Sequence, residues 1–129
     1  MANNPPKLSP EAFDRIVEQA IARIPIEIRQ HLDNILISVQ QRPSDEMLQE
    51  MGLPAGEALL GVYWGVPLTE RSVTDPPLYP DTIFLFQEPL EQMCATQADL
   101  VEEIEITVVH EIAHALGLSE EQIAALGYE

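Results

Sequence analysis

The stretch TVVHEIAHALGLSEEQ, residues 107–122, contains two of the three histidines of this 129-residue chain. His110 and His114 are four residues apart, so on a helix both imidazoles project from one face, one turn apart. Both rings can then reach one zinc ion at the usual zinc to nitrogen distance of about 2.0–2.1 Å. The spacing therefore predicts a zinc site at the end of a helix.

Glu111 follows the first histidine directly, and the pattern H-E-x-x-H predicts a different role for it. Next to His110, it is rotated by about 100° around the helix axis, which is too far for a good metal ligand. Its carboxylate is placed to accept a proton from a metal-activated water as that water attacks a carbonyl. We therefore interpret Glu111 as a general base.

Two histidines on a helix surface without any metal are the alternative interpretation of this pattern. The neighbours Ile112, Ala113 and Ala115 leave few polar groups nearby. We therefore expect the histidines in apolar surroundings, where each needs a polar partner. This expectation favours the metal site.

A zinc site of this kind needs a third protein ligand. A ligand from a second helix further along the chain would fall beyond Glu129, so we do not expect that arrangement. In the pattern H-E-x-x-H-x-x-G-x-x-[HD], a glycine ends the helix and the residue three positions later faces the metal. Gly117 and Glu120 occupy these positions, and Glu121 is the alternative ligand. The two glutamates also suit the first turn of a last helix capped by Ser119.

The rest of the chain divides into helical and strand-like segments separated by proline and glycine. Ser9 and Pro10 open an amphipathic helix that ends near Pro25. A second long helix is predicted from about Thr96 to Leu116. β-Branched and aromatic residues predict three strands, and a capping serine predicts a short helix. These strands lie in DNILISVQQRP (33–43), EALLGVYWGVP (57–67) and DTIFLFQEP (81–89), and the short helix in SDEMLQEMG (44–52).

Composition indicates a folded acidic protein. Hydrophobic residues make up 46% and charged residues 22% of the chain, which is the usual range for globular proteins, and the length predicts a single domain over residues 1–129. The formal net charge of −16 repels phosphate backbones and anionic lipids, so we expect neither a nucleic-acid nor a membrane partner. Cys94 is the single cysteine and MANNPPKLSP lacks the apolar run of a signal peptide, so we expect a cytoplasmic protein. We also expect a monomer.

The chain resembles the small bacterial zincin-like metallopeptidases called minimal zincins. The resemblance implies an α+β fold, with a short mixed three-stranded sheet packed against an N-terminal helix and the HExxH active-site helix. It also implies zinc bound through His110 and His114 and catalysis by Glu111. An acidic residue after the glycine usually completes such sites, which corresponds to Glu120. The segments that carry the resemblance are LDNILISVQ (32–40), LPAGEALLGVYWGVPLTER (53–71), PDTIFLFQEPL (80–90) and ITVVHEIAHALGLSEEQIAALGY (106–128).

Two positions depart from the family pattern. Members often have a second histidine directly after the motif, where this chain has Ala115, and aspartate is commoner than glutamate at position 120. The sequence predicts a zinc-dependent peptidase that hydrolyses peptides or unfolded proteins. The departures motivate the alternative, a zinc-stabilised peptide- or protein-binding module with little or no hydrolytic activity.

Three further expectations concern how a substrate reaches the predicted zinc. Peptides add to sheet edges, so we expect the substrate along an exposed edge of the DTIFLF strand. The proline-rich segment 68–80 is expected to border the cleft and admit only short or unfolded peptides. Tyr128 either approaches the zinc as an oxyanion donor or packs on Leu126.

Replacing His110 with alanine should weaken zinc binding by about 100-fold or more, because the loss of a ligand removes binding energy that is linked to folding. Zinc should then raise the melting temperature of the unmodified protein but not that of the variant. Zinc content after dialysis and thermal unfolding with and without zinc measure both effects. An unchanged zinc stoichiometry in the variant contradicts the assignment of His110 as a ligand.

Overall fold

The computed structural model describes residues 7–65 and 81–128, and the predicted cleft-bordering segment 68–80 falls outside the described residues. The described residues form an α+β fold, as the sequence predicted. Its elements are α1 (Pro10–Arg23), α2 (Ile26–Arg29), a 3-10 turn (Gln30–Asn34), β1 (Ile35–Gln40), α3 (Asp45–Glu50), β2 (Gly61–Trp64), β3 (Asp81–Phe86), α4 (Gln87–Met93), α5 (Gln97–Ala115) and α6 (Glu120–Ala125).

The three strands form one mixed sheet in the order β1-β3-β2. β1 lies parallel to β3, with Ile35 opposite Asp81, and β2 lies antiparallel to β3, with Gly61 opposite Leu85. The mixed three-stranded sheet is thus confirmed. The expectation of an exposed edge on the DTIFLF strand was wrong, because β3 is the central strand and has a partner on each side. β3 is also the most apolar and most buried strand, which is the usual character of a central strand.

Alternation along the first strand places its apolar residues as predicted. Ile35, Ile37 and Val39 pack against the core, while Leu36 between them is 55% exposed. The third strand is shorter than predicted, because β3 ends at Phe86 and α4 begins at the next residue. Pro89 lies in the first turn of that helix, where proline costs no helical hydrogen bond.

Helix α5 occupies the centre of the molecule, between α1 and the sheet. Its side chains at Ile104, Val108 and Ile112 are fully buried, and burying each one contributes about 1.5–3 kcal/mol. On α1, Phe13 and Ala20 are likewise fully buried in the same core cluster. The helix that carries the histidines is therefore held in place by core packing along most of its length.

Three helices end in the same motif, in which a glycine adopts the left-handed conformation that side chains disfavour. Gly52, Gly117 and Gly127 have φ values of 76°, 79° and 92° and follow α3, α5 and α6. After α5, the Gly117 N–H donates to the His114 carbonyl at 3.0 Å, and the next N–H donates to the Ala113 carbonyl at 2.9 Å. This pair of bonds is the Schellman motif. The predicted helix end at Gly117 is confirmed, and the chain turns there so that α6 returns toward α5.

None of the helices in residues 7–65 and 81–128 combines the length and apolarity needed to cross a bilayer. The lone Cys94 is buried, and burial raises the pKa of its thiol to about 11. The cytoplasmic location and the single domain stay predictions.

Replacing Gly117 with alanine should lower the free energy of unfolding by roughly 1–2 kcal/mol, because an L-residue is strained in the left-handed conformation. It should also weaken metal binding, because a change in the turn moves α6 relative to the histidines. Gly52→Ala is the matched control: it has the same sign of φ at the end of α3, and a Cβ there meets no atom within 4 Å. Denaturant unfolding and zinc titration measure both effects. Equal losses of zinc affinity in the two variants would contradict a specific role for the Gly117 turn.

Candidate metal centre

The two histidines lie at the solvent-facing end of α5. His110 is half-buried and the His114 side chain is 50% exposed, with ring centroids 6.0 Å apart and ring planes at 88°. The expectation of apolar surroundings was wrong for His114. Its neighbours Ile112, Ala113 and Ala115 are buried and face the core. The apolar sequence around the histidines therefore reflects how α5 packs, and both rings are open to solvent on one side.

Glu120 is the acidic residue that the turn brings to the histidines. It is the first residue of α6, and its Oε1 lies 3.0 Å from His114 Nε2. One ligand atom each from His110, His114 and Glu120 lie within 4.8 Å of one another. The hydrogen bond with His114 lowers the pKa of the Glu120 carboxyl. Among the described residues, Glu121 stands outside this group.

Capping of α6 and contact with His114 occur together at one turn. The Ser119 hydroxyl accepts the Gln122 N–H at 3.1 Å, and the Gln122 side chain accepts the Ser119 N–H at 2.8 Å. This reciprocal capping box satisfies the helix N-terminus without either glutamate. Glu120 is therefore left to project toward His114, and the two interpretations of its role are compatible.

Glu111 has a partner that the sequence did not reveal. Its Oε1 accepts a hydrogen bond of 2.8 Å from the backbone N–H of Tyr63 on β2. Burial raises the pKa of the Glu111 carboxyl, while the Tyr63 hydrogen bond and the two histidines act in the opposite direction. The carboxylate thus stands outside the three-atom group, directed toward the outer edge of β2. A backbone donor leaves no signal in side-chain patterns, so no motif could have identified this contact.

The Tyr128 hydroxyl has a partner away from the candidate metal centre, and the packing of Tyr128 on Leu126 stays a prediction. Its hydroxyl donates to Glu105 Oε2 at 2.7 Å, and burial together with this carboxylate raises the pKa of the phenol to about 12. The hydroxyl is therefore committed to a group outside the site. Its main-chain carbonyl oxygen, in contrast, lies 3.2 Å from His110 Nε2.

The donor set fits a zinc ion. Two imidazole nitrogens and one carboxylate oxygen are a usual ligand combination for catalytic zinc, which keeps one position for water or substrate. Two ligands of one tetrahedral zinc stand roughly 3.4 Å apart, so small rotations of these accessible side chains would bring all three atoms to one ion. Hard cations such as Mg²⁺ prefer oxygen ligands, so two imidazoles favour a metal of the zinc type.

Comparison with known proteins defines the family. The family model of zincin-like metallopeptidases matches residues 32–128, and the chain belongs to that family. Membership implies a metallopeptidase with a divalent metal, usually zinc. A conserved hypothetical protein from Thermus thermophilus has a similar solved structure, with a TM-score of 0.55 and 20% sequence identity over 91% of this chain and 98% of that chain. This likeness supports the fold. A search of the curated proteins finds no match.

Replacing Glu120 with alanine should weaken zinc binding by about tenfold or more, because only two protein ligands would remain. Glu121→Ala is the matched control and should leave zinc affinity unchanged, since both glutamates lie in the exposed first turn of α6. Competition with a chromophoric chelator measures both affinities. The reverse ranking of the two variants would assign the third ligand to Glu121.

Proposed function

We propose that this protein is a zinc-dependent peptidase in which His110, His114 and Glu120 hold the metal and Glu111 is the general base. One observation carries the proposal. Three ligand atoms converge within 4.8 Å at the open end of α5, and the Glu111 carboxylate beside them is fixed by a backbone N–H of the neighbouring strand. A metal site with a positioned carboxylate and a strand edge beside it is suited to hydrolysis of an extended peptide.

Each group contributes a separate part of the reaction. When bound by His110, His114 and Glu120, zinc would supply a Lewis acid for the scissile carbonyl and lower the pKa of its water to about 7. Glu111 takes the proton from the attacking water and then delivers it to the leaving amine, so the base is restored at the end of the cycle. The N–H of Tyr63 holds the carboxylate in one orientation, which reduces the ordering needed for that proton transfer.

The outer edge of β2 is the proposed place for the substrate, in place of the β3 edge. β2 pairs with β3 on one side, and we propose that an extended peptide lies along the other side. That edge adjoins Glu111 through Tyr63. The net charge of −16 favours peptides that contain lysine or arginine, with faster association at low salt.

Replacing Glu111 with glutamine should lower peptide hydrolysis by about 10²–10⁴-fold, because an amide cannot accept the proton of the attacking water. The substitution preserves the shape of the side chain and an acceptor for the Tyr63 N–H, so fold and zinc content should match those of the unmodified protein. Cleavage of an unstructured basic peptide library, followed by mass spectrometry, measures the rate. A variant with unchanged activity would remove Glu111 from the reaction.

The same experiment tests the alternative of a zinc-stabilised binding module. If the unmodified, zinc-loaded protein binds peptides from the library but releases them uncut, the binding module is supported and the peptidase is not. Glu111→Gln should then change neither zinc content nor peptide affinity.

A further inference from the structure

Tyr128 contacts two residues of α5, one through its side chain and the other through its main chain. Its hydroxyl donates to Glu105 Oε2 at 2.7 Å, and its main-chain carbonyl faces His110 Nε2 at 3.2 Å. Glu105 and His110 are five residues apart on α5. Tyr128 therefore bridges a site residue and a carboxylate that belongs to no recognised motif.

The position of the Tyr128 carbonyl is fixed by the main chain as well as by the side chain. Gly127, with φ of 92°, ends α6, and the Tyr128 N–H donates to the Ile123 carbonyl at 3.2 Å. Tyr128 as a whole is 7% exposed and belongs to the core cluster. These contacts hold the Tyr128 carbonyl beside His110.

Glu105 differs from its acidic neighbours on the same helix. Its side chain is 12% exposed, whereas Asp99 and Glu102 are exposed. Its Oε1 lies 2.9 Å from Arg23 Nε on α1, in ion-pair contact but outside hydrogen-bond geometry. A carboxylate at this depth is costly unless it is paired. Arg23 and Tyr128 together supply that pairing, so the network depends on both of them.

We infer that Tyr128 is a positioning residue for His110, and that Glu105 acts on the same imidazole through Tyr128. The inference rests on the proposed function, in which His110 is a metal ligand. A carbonyl accepts hydrogen bonds only, so in the metal-free protein this contact places the ring proton on Nε2, leaves Nδ1 as the nitrogen that can bind a metal, and restrains the imidazole next to His114. Metal binding then requires less ordering of the ring. Partners behind metal-binding histidines commonly change metal affinity by about 10–100-fold when they are removed.

The experiment compares Tyr128→Phe and Glu105→Gln with the unmodified protein. Tyr128→Phe keeps the buried ring and removes only the hydroxyl, so the fold should be retained. Each variant should bind zinc about tenfold more weakly. The double variant should be no weaker than either single one, because the two residues act in series on one imidazole.

Nitrogen NMR of the metal-free protein gives a readout that a loss of stability alone would not move. The His110 ring signals should indicate proton occupancy mainly on Nε2 in the unmodified protein and a mixture of tautomers in both variants. His31 lies in the 3-10 turn before β1, so its ring signals should stay the same and serve as an internal reference.

Glu91→Gln is the matched control. Glu91 is 7% exposed on α4, and its carboxylate accepts hydrogen bonds from the Leu8 N–H at 2.7 Å and from Gln87 at 3.2 Å. The substitution removes a buried carboxylate of the same kind without changing any contact of the histidines. It should lower the melting temperature while zinc affinity and the His110 signals stay unchanged.

Three results would overturn the inference. The first is unchanged zinc affinity and unchanged His110 signals in both variants. The second is tighter zinc binding or faster peptide cleavage in the variants, since the Tyr128 carbonyl would then obstruct the site. The third is an equal loss of zinc affinity in Glu91→Gln, because lower stability of the protein would then explain the effect. If the unmodified protein binds no zinc, the proposed function fails, and the metal-free NMR comparison still decides whether Tyr128 and Glu105 orient His110.

Discussion

The packing of α5 is the constraint on which the rest of this structure depends. A helix that is buried by α1 on one side and by the sheet on the other cannot shift without opening the core, and Ile104, Val108 and Ile112 are fully buried along it. The last turns of the same helix extend to the solvent, where His110 and His114 project. The site therefore stands on a helix that is held by the core, and its histidines are accessible to solvent. A metal centre with an exchangeable position needs both properties.

Two contacts with other elements complete the site on α5, and they differ in kind. The reversal at Gly117 returns α6 so that Glu120 meets His114, through a main-chain motif that depends on one residue without a side chain. On the other side, β2 contributes a backbone N–H, from Tyr63 to Glu111. His114 and Glu111 belong to one motif, but their partners come from different parts of the fold.

Local features of this chain were predictable because local chemistry decides them. Serine caps, apolar periodicity and a glycine in a left-handed turn act over a few residues, and the helices α1, α3, α5 and α6, the three strands and the turn at Gly117 followed from them, whereas α4 was not predicted. The central place of β3 was not predictable, because strand order depends on which distant segments pair. Alternation in a short apolar strand is the same at an edge and in the middle of a sheet. The contacts Tyr63 to Glu111 and Tyr128 to Glu105 were missed for a related reason, since they join segments 48 and 23 residues apart.

The contacts that form the candidate metal centre differ in how far apart their residues are in the sequence. Glu120 and His114 are six residues apart, so their contact needs only a short reversal of the chain. The pairing of β1 with β3 requires closure of a loop of about forty residues between Gln40 and Asp81, at a greater entropic cost. The contact of Glu120 with His114 is therefore local, whereas the hydrogen bond from Tyr63 to Glu111 joins residues 48 positions apart and depends on the packing of β2 against α5.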